Sequence, residues 1–358
     1  MKHMSTIRKI AKIAGVSPST VSRVLTGHAN VRLETRNRII QALNDTNYQS
    51  PKTVEKKALC VGIIMPKLSA DNLAGHPAFY AATSSFIEQM TKTKIKNEII
   101  VFDDHQLDNL EDLFMPLKNG YFILGTSEDQ EDKILGFMKK NHIPYIILNR
   151  WVNDKFTNYI NVDDTLAAYN ATLYLISNGH RKIAFVGGNE NFRNSKLRVK
   201  GYTQALEDNG IIVRDEYIRQ GFYTERYGYQ MADDLMELED KPTAVLFSSD
   251  MIAIGFLNHI RELGLNVPND FSIIGWGDFP ASSYVTPPLT TIHIPNAELG
   301  AQAAKMLINL MDTKDLMLFQ ALMDANLTVR QSVAPCKTQD EHPSPSSKQI
   351  NISRPIQE

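Results

Sequence analysis

Apolar residues in the first fifty positions recur at three- and four-residue steps. Ile7, Ile10, Ala11 and Ala14 share one helical face, and Gly15 follows them, the residue a helix C-terminus favours for its left-handed exit. Thr6 is the expected N-cap of that helix. Ser17 is the expected cap of a second, with Pro18 at its first position, where the missing N–H has no helical partner to lose. Val21, Val24 and Leu25 give the second helix an apolar face, and Pro18, Ser19, Ser22 and Arg23 form the opposite one. Two short helices broken by a glycine predict a helix-turn-helix, although a plain αα-hairpin in some core fits the bare pattern as well. A third helix is predicted over residues 34–47, with Ile39, Ile40 and Leu43 inward.

From Leu59 the pattern changes to short aliphatic runs that barely alternate: LCVGIIMP (59–66), NEIIVFD (97–103), YFILGT (121–126), PYIILNR (144–150), KIAFVGG (182–188), AVLFSSD (244–250) and FSIIGWGD (271–278). Runs of this kind are parallel strands covered on both faces. Helical segments are predicted between and after them, over 79–91, 133–140, 165–178, 198–209, 227–238, 251–263 and 296–311. Strands alternating with helices define a doubly wound α/β body. There are too many strands for one sheet, and the break at 150–161 predicts two similar lobes with a cleft between them. QSPKTVEKK (49–57) is polar and contains Pro51, as a linker would, and the Pro- and Ser-rich residues from Ala334 onward read as a disordered tail.

Length and composition agree with this division. At 358 residues and 43% hydrophobic, the chain can bury a large core and carry a small module besides. It shows neither an eighteen-residue apolar run nor a secretory leader, so a cytoplasmic protein with no membrane partner is expected. Cys60 and Cys336 have no metal-ligand spacing and read as reduced thiols, and the nine histidines form no HxxxH cluster. Neither a metal nor a cofactor is expected. Charge is more telling. Residues 1–57 hold eleven lysines and arginines against three acids, a balance of +8, which leaves −10 for residues 58–358 of a chain whose net charge is −2. A basic head on an acidic body is what a protein needs when only its head meets phosphates, and it favours double-stranded DNA as the partner of the second helix.

The run AGVSPSTVSRVLTG with Val31, TRNRI from Thr35 and Tyr48 closely resembles the head of the lactose-repressor/galactose-repressor (LacI/GalR) family of bacterial transcription regulators. The resemblance continues to about Val333. It implies a small all-α helix-turn-helix head plus an α/β body, whose two doubly wound parallel-sheet lobes resemble a periplasmic-binding-protein fold. The expected divisions are 1–50 for the DNA-binding domain, 51–58 for the linker and 59–333 for the body. Lobe 1 is expected at about 59–160 and 292–325, lobe 2 at about 161–291 and 326–333, and the tail at 334–358. Pro18, Ser19 and Arg23 would occupy base-reading positions, within a DNA-facing set that also includes Thr6, Ser17, Thr20, Ser22, Asn30, Arg36 and Tyr48. In the family the linker forms a hinge helix with an Ala-Arg-x-Leu core. This chain lacks that motif, and its linker looks about four residues shorter.

In an open α/β sheet, ligands sit beyond the carboxyl ends of the strands. Here those ends carry Asn149–Arg150, Gly187–Gly188–Asn189, Ser248–Ser249–Asp250 and Gly275–Trp276–Gly277–Asp278. Each alone is an ordinary turn; together they form a cleft suited to a polar small molecule. Arg, Asp and Asn present the planar groups that grip vicinal hydroxyls, and Trp276 offers a ring face on which a pyranose stacks. By resemblance SKLRVKGYTQAL makes Arg198 the effector-anchoring arginine, packed at a solvent-lined cleft. Asn149, Arg150, Asp163, Ser249 and Asp250 fall at or beside other contact positions, with Phe192 also a candidate. The family usually has two acidic or amide residues after its aromatic, where this chain has Gly277 and Asp278, so either Asp278 takes over that contact or the contact is lost. Phe79 and Tyr80 are core by default and ligand-facing in the alternative. PPLTTI (287–292) and VRQS (329–332) resemble the family's lobe crossover and final strand, structural in role.

No GxGxxG or GxxxxGK[ST] loop occurs, and no nucleophile elbow, HExxH or catalytic carboxylate pair stands out, so catalytic residues are not assigned. The expected function is a sugar-responsive transcriptional repressor acting as a homodimer on a near-palindromic operator. The opposing reading is a cytoplasmic sugar receptor or sugar enzyme with an incidental helical head. Reading and holding are separable: Arg23→Ala should cost ~1–3 kcal/mol at the base it contacts and blur discrimination, whereas Arg36→Ala should weaken all DNA alike. Competition titrations on operator and random duplexes measure both, and equal losses on the two for Arg23→Ala would remove it from the reading face.

Overall fold

The computed structural model describes residues 2–25, 31–46, 59–67, 77–148, 156–312 and 318–336. The head consists of α1 (Lys2–Ala14), α2 (Pro18–Leu25) and α3 (Leu33–Asp45). Its core is Ile10, Ala11, Ala14, Val21, Ile39 and Ala42, with Ile7, Val24 and Leu43 packed at its margin. Gly15 has φ +64; its N–H bonds to the Lys12 carbonyl and that of Val16 to the Ala11 carbonyl, closing α1 in a Schellman motif. Ser17 caps α2, its Oγ accepting from the Thr20 N–H at 3.1 Å. One expectation is corrected here. Because α1 begins at Lys2, Thr6 lies inside the helix and cannot cap it.

The body holds two six-stranded sheets. The first contains β1 (Cys60–Pro66), β2 (Lys96–Phe102), β3 (Gly120–Ile123), β4 (Tyr145–Leu148), β5 (Tyr159–Val162) and β11 (Gln320–Met323), in the order β11-β5-β4-β3-β1-β2. All its pairings are parallel. The second contains β6 (Ile183–Gly188), β7 (Ile218–Gly221), β8 (Ala244–Phe247), β9 (Ser272–Gly277), β10 (Thr290–His293) and β12 (Asn326–Thr328), in the order β12-β10-β9-β8-β6-β7. It is parallel but for its antiparallel edge pair β10–β12. Residues 329–332, expected to form a final strand, instead follow β12 as irregular chain. Ser332 is nonetheless fixed, accepting from the Thr290 N–H and donating to the Ile273 carbonyl.

Helices cover both faces of each sheet. The first is flanked by α4 (Pro77–Lys92), the short α5 (Leu110–Phe114), α6 (Glu128–Lys140) and α12 (Asn296–Asp312). The second is flanked by α7 (Asp164–Ser177), α8 (Arg193–Asp208), α9 (Glu225–Met236), α10 (Asp250–Glu262) and the short α11 (Pro280–Tyr284). Successive strand residues feed opposite cores: Ile63 and Phe122 join one, Ile64 and Ile123 the other. That double coverage explains why the strands read as unbroken aliphatic runs. The chain passes between sheets three times, from β5 into α7, from β10 into α12, and from β11 into β12. It stays ordered past the expected end of the body at Val333. The Ala334 carbonyl accepts from Ser272 Oγ and meets His180 Nε2, and the Cys336 N–H bonds to the Asn178 carbonyl. The predicted linker (51–58) and residues 337–358 of the predicted tail lie outside the described residues.

Close helix contact sets one requirement directly. A Cβ at Gly201 in α8 would lie 2.1 Å from the Thr165 carbonyl oxygen of α7, so the glycine of the Arg-x-x-Gly-Tyr block lets these helices touch backbone to backbone. Gly201→Ala is expected to cost about 1–3 kcal/mol through overpacking. Urea titration should show a lower midpoint at unchanged slope, and an unmoved midpoint would show that α7 and α8 can separate without cost.

Candidate functional site

On α2, Pro18, Ser19, Ser22 and Arg23 are exposed, as is Ser17 just before it, with Thr20 half-buried beside them. Arg36 is half-buried on α3. A convex helix with small groups and one long cation at its surface fits a major groove, where donors and acceptors are read edge-on. Asn30 and Tyr48 lie outside the described residues.

The second constellation sits where the chain first passes between sheets. Asn161 lies in the fully buried β5, and Asp163 caps α7, accepting from the Leu166 N–H at 2.9 Å. Its neighbour Asp164, 1% exposed, turns inward and accepts from Arg198 Nε at 2.8 Å and from Asn161 Nδ2 at 3.3 Å. Arg198 also donates from Nη1 to the Ser248 carbonyl at 2.8 Å, and its guanidinium lies 4.1 Å from the centre of the Trp276 ring. Five segments, β5, α7, α8, the end of β8 and β9, are thus tied into one buried polar unit. Burial pushes the Asp164 carboxyl above the usual carboxylate range, and the charge and hydrogen bond of Arg198 draw it back down. Two polar atoms of the unit, Trp276 Nε1 and Asn161 Oδ1, are buried without a hydrogen-bond partner.

The geometry revises several sequence assignments. Arg198 was expected at a solvent-lined cleft; it is 9% exposed, its charge already met by Asp164. The carboxylate doing this is Asp164 and not Asp163, a distinction that two adjacent aspartates between a strand and a helix do not announce. Asp250 was expected beside the ligand but is closed off. Its Oδ2 accepts from the Phe279 N–H at 2.8 Å and Ser282 Oγ at 2.6 Å, and its Oδ1 from Thr291 Oγ1 at 2.5 Å. Burial raises its pKa, and those three donors oppose the rise. Asp250 therefore joins α10, α11 and β10. Ser249 is buried as the cap of α10, its Oγ accepting from the Met251 N–H.

Asp278, with φ +52, has partners within the protein. Its carboxylate accepts from Arg330 Nη2 at 2.6 Å and lies 3.0 Å from His293 Nδ1, holding two of the chain's passages between sheets. Phe79 packs against the core of the first sheet, whereas Tyr80 is exposed. Phe192 is half-buried at the start of α8, edge-on to Tyr223 with ring centres 6.5 Å apart. Tyr223 and Ser195, whose hydroxyls are 2.7 Å apart, join the same end of α8 and escaped sequence reading. Tyr223 follows β7, whose residues IRQG carry no aliphatic run, and only recognition of that strand would have placed it. Asn149 and Arg150 lie outside the described residues. Among the described residues no three His, Cys, Asp or Glu side chains gather as metal ligands would, and no helix is long and apolar enough to cross a membrane.

Comparison with known proteins matches both parts. Residues 6–50 fit the model of bacterial regulatory proteins of the lacI family, and residues 172–333 that of a periplasmic binding protein-like domain. The chain is 30% identical over 334 residues to the "Probable HTH-type transcriptional repressor ExuR" of Bacillus subtilis (strain 168), covering 92% of this chain and 98% of that protein. To catabolite control protein A of Priestia megaterium it is 33% identical over 318 residues, covering 86% and 92%. Among solved structures, a LacI family transcriptional regulator from Enterococcus faecium with bound ribose superposes with a TM-score of 0.67 at 25% identity, covering 78% of this chain and all of that one. The chain belongs to the LacI family of bacterial transcriptional regulators. Its relatives include proteins named as HTH-type transcriptional repressors.

Removing Arg198 would strand a buried carboxylate, so Arg198→Ala is expected to cost about 3–5 kcal/mol. Adding Asp164→Leu on an Arg198→Met background should return most of that loss, because a buried ion pair and an apolar pair of similar volume are close in stability. Thermal melts of the three variants measure this. A double variant no more stable than Arg198→Ala would show that the Ser248 and Trp276 contacts, and not the paired charge, hold the fold here.

Proposed function

We propose that the chain represses transcription as a homodimer on a near-palindromic operator. On this reading a small sugar, or a related polar metabolite, changes its operator affinity by binding between the lobes at the Asp164–Arg198–Trp276 unit. The supporting observation is the buried donor and acceptor, Trp276 Nε1 and Asn161 Oδ1, left without partners beside an indole face. Buried polar groups are normally satisfied, and a hydroxyl supplies both a donor and an acceptor. The ribose bound to the Enterococcus faecium relative supports the same class. A ligand at this unit touches β5 of one sheet and β9 of the other, so it can bind two lobe arrangements unequally, as any effector must.

Dimerisation is supported by the surface. β2 is an edge strand, yet Ile99 and Val101 are exposed along it, at 50% and 43%. An apolar edge is a pairing surface unless something covers it. Two heads also double the few base pairs that one can read. A regulator of this type works in the cytoplasm.

Trp276→Phe keeps the ring and removes the N–H. Calorimetry across a panel of pentoses, hexoses and disaccharides should find a sugar whose affinity falls about tenfold in this variant, the worth of one buried hydrogen bond. Operator release, followed by fluorescence anisotropy, should need correspondingly more of that sugar. Affinity unchanged in Trp276→Phe would remove the indole from the site, and no binding by any sugar would refute the effector class.

A further inference from the structure

The N-termini of α6 and α8 belong to different lobes, and each follows a strand of its own sheet, β3 and β6. Their first turns are charged in opposite senses. α6 opens with Glu128, Asp129 and Glu131, the sign a helix N-terminus favours. α8 opens with Arg193 and Lys196 and has no acid in its first turn, so its own sequence sets two cations against the positive end of its dipole. The missing anion comes from the other lobe. Glu128 Oε2 lies 3.2 Å from Lys196 Nζ, and Glu128 Oε1 lies 3.7 Å from Arg193 Nε. The Glu128 N–H also reaches the Asn191 carbonyl at 3.4 Å. Arg193 Nε is buried without a hydrogen bond, so slightly closer approach of the two helix ends would complete the contact.

The geometry points to Glu128 as a latch across the cleft that holds the lobes together before any effector binds. None of the three passages between sheets includes these residues, so the contact resists opening where the covalent chain does not. Opening would return α8 to the unfavourable arrangement of two cations at its positive end and would expose Arg193 to water. The groups are partly exposed, with side-chain accessibilities of 27% for Glu128, 31% for Arg193 and 55% for Lys196. The latch is therefore weak and screened by salt, as suits an equilibrium that a ligand must still shift. By setting how often the lobes are closed without ligand, it sets the ligand concentration at which the protein switches.

Spin labels at Lys140→Cys on α6 and Lys200→Cys on α8, with Cys60 and Cys336 changed to Ser in the full chain, report the distance between lobes without effector or DNA. The ratio of short to long distances is expected to fall about two- to five-fold in Glu128→Gln, the range open to a partly exposed ion pair. Raising salt should lower the ratio in the parent protein and leave Glu128→Gln unmoved. Reversing the charges together, Glu128→Lys with Arg193→Glu and Lys196→Glu, should restore short distances. Circular dichroism melts identify any variant that has lost its fold, and Lys196→Gln, which removes only the more exposed cation, then serves as the replacement and should lower the ratio in part. Distributions identical in parent and folded Glu128→Gln at low salt would overturn the latch, as would a shift that charge reversal fails to restore. Because no sugar or operator enters the measurement, its outcome is independent of the effector reading.

Discussion

A carboxylate and a guanidinium buried against an indole ring hold the body together between its sheets. Asp164 stands at the point where the chain leaves the first sheet, and Arg198 reaches it from α8 while gripping the end of β8. Taking both charges out of water is expensive, and the arrangement persists because both carboxylate oxygens of Asp164 and Nε and Nη1 of Arg198 are met at close range. The packing around it follows from that need. Gly201 brings α8 against α7, which keeps Arg198 within 2.8 Å of Asp164, and Tyr202 anchors the next turn through its hydroxyl to the Ile183 carbonyl. The same unit leaves a donor and an acceptor unmet, so the place where the protein is most tightly built is also where it is chemically incomplete.

The sequence showed the interior strands plainly and the peripheral ones poorly, for a physical reason. β1, β3, β4, β6, β8 and β9 are covered on both faces, and their aliphatic runs say so. β7, β11 and β12 lie at the edges of their sheets, are only partly buried and carry IRQG, QALM and NLT, which resemble loops. β5 is fully buried but carries Asn161, a polar residue that serves the site and breaks the run. In the head the local signals, Gly15, Ser17 and Pro18, agreed with the global fold, and only the start of α1 was misplaced.

The residues of the cleft were harder to read than the fold because one aspartate looks like another along a chain. Asp163 caps a helix, Asp164 holds a buried arginine, Asp250 gathers three donors and Asp278 pins two strands near the lobe passages. Each is a short carboxylate near a strand end, and only its neighbours in space assign its work. Trp276 stands out because tryptophan occurs only twice in the chain, and Arg198 because it lies in a family block. Glu128 was not, since its partners stand 65 and 68 residues away in the other lobe.

The order of the chain has a consequence for its synthesis. Each sheet takes its outermost strand from residues 320–328, β11 for the first and β12 for the second, and Ser332 then fastens β10 and β9 from outside. A chain that leaves the ribosome N-terminus first can build its head early. Neither lobe can close its sheet until nearly all of the body has emerged. Two lobes that look separable in space are thus finished together, by one short piece of chain, and any translation product that stops after α12 leaves both with an open edge.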